Sequence, residues 1–98
     1  MSVKFSVKEK KDFTLVEFEL DGAIAPSDLR DLKIPEIDRT KGVIISGRGP
    51  IWLYGTLVHH YHPTPWVGVF DPRLSGGVVV QSHTPGVAEG DIVPLSED

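Results

Sequence analysis

A chain of 98 residues builds one domain, residues 1–98, around a single modest core. Hydrophobic residues at 40% and charged residues at 24% exclude intrinsic disorder, and the lack of cysteine excludes a disulfide frame, a thiolate nucleophile and a cysteine-based zinc site. Ten basic against fourteen acidic side chains, a net charge of −4, disfavour non-specific binding of DNA or any long polyanion through a wide basic face, so an anionic ligand should be small and locally held.

The opening MSVKFSVKEKKDF alternates apolar and polar residues, and no segment approaches the roughly 20 apolar residues that cross a bilayer, so a cytoplasmic location and no membrane partner are expected. Residues 3–7 and 13–20 each carry an apolar residue at every second position. The charged KEKKD between them predicts a hairpin whose buried face includes Val16, Phe18 and Leu20. In APSDLRDLKIP, Pro26 or Ser27 marks a helix start, Asp28 favours its dipole, and Pro35 ends it. GVIIS at 42–46 is a short β-branched run suited to a strand covered on both faces. GRGP follows, then IWLYGTLVHHY, in which Tyr54, Leu57, Val58 and Tyr61 form one helical stripe. PWVGVF predicts a strand, DPRLSGG a turn, VVVQSH a returning strand, and EGDIVPL a turn with a brief edge strand that tolerates Pro94.

Strand, helix and strand within about thirty residues predict a crossover unit, with the strands from Gly42 and Trp66 parallel. The fold class is therefore α/β: a small Rossmann-like mixed sheet with two helices and an N-terminal β-hairpin. Ser46 to Pro50 and Asp71 to Arg73 then share the carboxyl edge of the parallel strands, where open α/β sheets bind ligands. His59, His60 and His62 fall at the opposite edge, and the returning strand brings His83 to it. Nine residues of extended chain place His62 roughly 25 to 30 Å from Asp71. If both serve one reaction, one edge must meet the opposite edge of a second molecule.

Ser46, Gly47, Arg48 and Gly49 join a strand to a helix start. Free N–H groups, the positive dipole end and a guanidinium make an anion site there, although a Gly-x-Gly also reads as a merely tight turn. Asp71-Pro72-Arg73 reads either as an Asp-Pro turn with Arg73 on the surface or as a second set of ligand contacts. The histidines suit a helix C-terminus, and grouped with His83 they also suit a divalent ion or general acid/base chemistry.

The blocks KGVIISGRGPIWL, HPTPWVGVFDPRL and VVVQSH, with FTLVEFEL and EGDIV around them, resemble the small CRISPR-associated ring nuclease family of type III systems. The likeness is close over residues 41–83 and extends across nearly the whole chain. It implies a variant of the CRISPR-associated Rossmann fold, and a homodimer binding cyclic tetra-adenylate or a short oligoadenylate RNA. It also implies manganese-dependent phosphodiester cleavage, and head-to-tail stacking into a tetramer or filament that sandwiches the ligand. Carried over, Ser46, Gly47, Arg48 and Gly49 hold phosphates, Arg73 and His83 contact ligand, and Asp71, His62 and His83 hold manganese. In the family pattern a histidine directly precedes Thr-Pro. Here Pro63 takes that place, so His62 or His60 would join Asp71 in catalysis. The implied function is a ring nuclease that opens the cyclic messenger. The alternatives are a protein that senses or sequesters it uncut, and a manganese-dependent 3′ exoribonuclease that removes adenylates, against which the net charge counts.

Overall fold

A computed structural model describes residues 2–95. Six strands, β1 (Ser2–Glu9), β2 (Phe13–Asp21), β3 (Gly42–Gly47), β4 (Trp66–Asp71), β5 (Gly76–Ser82) and β6 (Ile92–Pro94), form one sheet in chain order. β2, β3 and β4 are parallel, while β1, β5 and β6 each join antiparallel to the neighbour that precedes or follows them. The expected hairpin is present, with Val7 opposite Val16, Phe5 opposite Phe18 and Val3 opposite Leu20. That register sends these six residues to one face, while Phe13 and Leu15 at the start of β2 face the other.

Two parallel steps need two crossovers. The second is the expected α-helix, α1 (Ile51–His60); the first is residues 22–41, whose helix is a six-residue 3-10 turn, Pro26–Asp31. Pro26 presets that turn, and the Asp28 carboxylate accepts the Ala25 N–H at 2.8 Å. Both crossovers pack on the same face, against a core of Val16, Phe18, Val43, Ile45, Leu53, Leu57, Tyr61 and Val67. Leu53, Leu57 and Tyr61 are the buried line of α1, with Tyr54 and Val58 at its margin, so the expected stripe is rotated by one residue and includes Leu53.

The other face carries Phe13, Leu15, Ile44, Trp66 and Val79, covered by Val87, Val93 and Leu95. β3 is thus buried on both sides, as its continuous apolar run requires. The Tyr61 hydroxyl donates to the Pro35 carbonyl at 2.8 Å and ties the end of α1 to the first crossover.

Thr64 secures the turn from α1 into β4. It is buried, and its hydroxyl lies 2.7 Å from the Tyr61 carbonyl and 3.1 Å from that of Trp66. Thr64→Val keeps the shape and the Thr64 N–H bond to the Tyr61 carbonyl but removes the hydroxyl donor, so urea unfolding should show a loss of about 1 kcal/mol with the slope unchanged.

Candidate functional site

At the carboxyl edge of the parallel strands, β3 ends on Gly47 and three residues lead into α1. A Cβ on Gly47 would lie 2.6 Å from the Phe18 carbonyl, and one on Gly49 2.8 Å from the Phe18 ring. Both glycines are therefore demanded by Phe18 beneath the loop, a packing reason the sequence did not reveal. Pro50 is an extended N-cap and supplies no side-chain cap to α1. Arg48 is exposed and has no hydrogen-bonding or charged partner among the described residues. A free guanidinium beside the positive end of a helix is a suitable place for a phosphate oxygen. Next to it opens a cleft of about 520 Å³, walled by Ile51, Tyr54, Val69, Phe70 and Pro72, with Ile51 86% exposed.

The Asp71 turn shares this cleft through Pro72. The Asp71 carboxylate accepts the Arg73 backbone N–H at 2.9 Å and the Arg73 guanidinium at 3.2 Å. These bonds, the side-chain one foremost, hold the Asp71 carboxyl below the usual carboxylate range. Its contribution is present above the ordinary carboxylate pKa and is lost only as the pH falls through the lowered value. The Asp-Pro turn is formed with Arg73 exposed and paired to Asp71 at 3.2 Å.

The loop itself is held by Tyr54, whose hydroxyl donates to the Gly47 carbonyl at 2.5 Å while its ring meets Phe18 edge-on at 5.3 Å. Burial pushes the Tyr54 phenol up. In a trans peptide the C=O and the following N–H point opposite ways, so a carbonyl held toward α1 turns the Arg48 N–H away from it. Tyr54→Phe should speed amide exchange over residues 47–49 and cost about 1 kcal/mol in urea unfolding.

The opposite edge collects the imidazoles. His59 is exposed on the last turn of α1, and His60 packs edge-on against Tyr61 at 4.9 Å. His62 and His83 meet edge to face at 4.7 Å, and the His83 backbone N–H donates to the Pro65 carbonyl, fixing it where β4 begins. Asp71 is the last residue of the same six-residue strand, so roughly 17–20 Å of β4 separates it from this pair, less than the roughly 25 to 30 Å expected because residues 61–65 form turns and not extended chain.

Of the residues singled out from the sequence, the structure brings together Ser46 to Gly49 with the Asp71-Arg73 turn, and separately His62 with His83. It does not bring Asp71 to either histidine. Among the described residues no group of three His, Asp or Glu side chains converges as a metal site, so Asp71, His62 and His83 are not one manganese centre within a chain. Two contributors were missed. Tyr54 carries only the signal of a core stripe, and Gln81 carries no sequence signal. A third sign was legible: His83-Thr84-Pro85 is an intact His-Thr-Pro at the imidazole edge.

Residues 17–94 match the family described as CRISPR-associated protein (Cas_csx3). The chain belongs to that CRISPR-associated family. A protein of Aquifex aeolicus (strain VF5), described as uncharacterized, is 50% identical over 96 residues, spanning 93% of this chain and 86% of its own length. Membership of the Cas_csx3 family supports a CRISPR-related role for the chain. No helix among the described residues is long and apolar enough to cross a membrane.

Proposed function

We propose that the chain is a ring nuclease that binds cyclic tetra-adenylate at the Ser46–Gly49 edge and opens it with an imidazole from the facing edge of a second, stacked molecule. The observation that carries this reading is Arg48: an exposed guanidinium, unpaired among the described residues, at the end of a buried parallel strand and beside a helix start with no side-chain cap. A small cyclic anion suits a chain whose net charge of −4 gives long RNA little attraction.

In the reaction the ribose 2′-oxygen attacks the adjacent phosphorus, and its proton passes to an imidazole. The bond from phosphorus to the 5′-oxygen breaks, and that oxygen takes up a proton. The product ends are a 2′,3′-cyclic phosphate and a 5′-hydroxyl. Arg48 offsets charge gathering on the non-bridging oxygens. His83, standing before Thr84-Pro85, and His62 beside it are the candidate proton carriers. Manganese would require Asp71 of one copy to meet His62 and His83 of another.

The test is to incubate the protein with labelled cyclic tetra-adenylate and, separately, with linear oligoadenylate, each with manganese and with chelator. Linear products carrying a 2′,3′-cyclic phosphate support the proposal. Ligand retained uncut at high protein concentration replaces it with a sequestering role, and stepwise shortening of the linear strand alone replaces it with 3′ exonuclease action.

A further inference from the structure

We infer that Gln81 fixes which ring nitrogen carries the proton on His62, and that the His62 backbone carbonyl fixes it on His83. The deduction starts from an atom that can only accept. The backbone carbonyl of His62 lies 2.9 Å from Gln81 Nε2 and 3.1 Å from His83 Nε2. A carbonyl oxygen has no hydrogen to give, so the Gln81 amide turns its NH2 toward it and His83 Nε2 is protonated. With the amide so oriented, Gln81 Oε1 faces His62 Nδ1 at 3.0 Å. An amide oxygen also only accepts, so His62 Nδ1 bears the hydrogen. The nitrogens left with free lone pairs are His62 Nε2 and His83 Nδ1, on two exposed rings in contact at 4.7 Å.

A β-bulge puts Gln81 in this position. Val79 pairs with Gly68 but Gln81 pairs with Val67, which leaves Val80 as an extra residue on β5. In unbroken alternation Gln81 would share a face with Val79, which is buried in the cluster around Trp66. The extra residue reverses the alternation and turns Gln81 to the face of Val67, the one that α1 covers, where the helix delivers His62. Val80 is 43% exposed as a consequence.

Resting on the proposed ring opening, Gln81 is a positioning residue. It presents His62 Nε2 as an acceptor for a ribose 2′-hydroxyl proton, while the His62 carbonyl, by holding His83 Nε2–H, leaves His83 Nδ1 as the other. The assignment itself needs no substrate.

Long-range proton–nitrogen correlation spectra of the protein at alkaline pH read each imidazole directly. His62 is expected as the Nδ1–H form, the reverse of the form favoured in water, and His83 as the Nε2–H form. In Gln81→Met, His62 should revert to the water preference. In Gln81→Glu, whose carboxylate still accepts, His62 should keep its Nδ1–H. Wild-type spectra with His62 as Nε2–H overturn the inference even if no variant folds. On cyclic tetra-adenylate, Gln81→Met should lower kcat about tenfold with KM little changed, and Gln81→Glu should recover part of it. Unchanged kcat in Gln81→Met would overturn the positioning role. A wild type without cleavage would remove the ring-nuclease reading and leave the spectra to decide the proton positions.

Discussion

Alanine at position 42 is expected to cost about 3 kcal/mol of folding stability, the largest effect of any single methyl added to this chain. A Cβ on Gly42 would stand 2.0 Å from the Trp66 indole, and distances of 2.3 Å to two further ring atoms leave no rotation that clears it. The indole is itself boxed in, 6% exposed and tilted against Phe13 at 6.4 Å between centroids. Either the first residue of β3 moves away from the sheet or Trp66 leaves its place and forfeits its burial. In a domain of this size that loss lowers Tm by roughly 12–24 °C, read by calorimetry. Trp66→Leu makes room at its own cost, so Gly42→Ala/Trp66→Leu should lie well above the sum of the two single losses. Simple additivity of the two would show that the indole is not what excludes the methyl.

Arg48→Ala should weaken cyclic tetra-adenylate binding by about 10- to 100-fold while leaving Tm within a degree or so. The first figure follows from about 1.5–3 kcal/mol for a hydrogen bond to a charged group. The second follows from the exposed guanidinium having no internal partner to lose. Titration calorimetry gives the first quantity and thermal unfolding the second. Since Arg48 and the His62/His83 pair stand at opposite edges, mixing Arg48→Ala protein with His62→Ala protein should restore part of the cleavage that each lacks alone. A stack in which neither mixed nor separate variants cleave would mean that both groups must come from the same molecule. Equal affinity of Arg48→Ala and wild type would remove the loop from the binding site.

The hairpin, the buried β3 run, α1 and its crossover to β4 were legible because each is written in local periodicity: two in the strands, near 3.6 in the helix. The separation of the Arg48 edge from the His62 edge was legible too, since it follows from strand direction and the length of β4 alone. The glycines of the loop were legible as residues but not in their reason. Phe18, some thirty positions earlier, occupies the space their side chains would fill, and no local window contains both. The ion pair between Arg73 and Asp71 was not legible, since it forms only where the Asp-Pro-Arg turn brings the guanidinium back over the carboxylate.

By itself the amino-acid order determined which segments are strands, where α1 begins and ends, that no thiol chemistry is available, and that the candidate anion loop and the imidazoles lie at opposite edges. Only the tertiary structure decided that β2 joins β3 in parallel, because that pairing spans an irregular crossover whose hydrophobic residues find their partners only on the assembled sheet. It alone also decided the face of Gln81. One unpaired residue at Val80 inverts every side chain after it, and that inversion exists only in the register between two strands, not in either strand's own sequence.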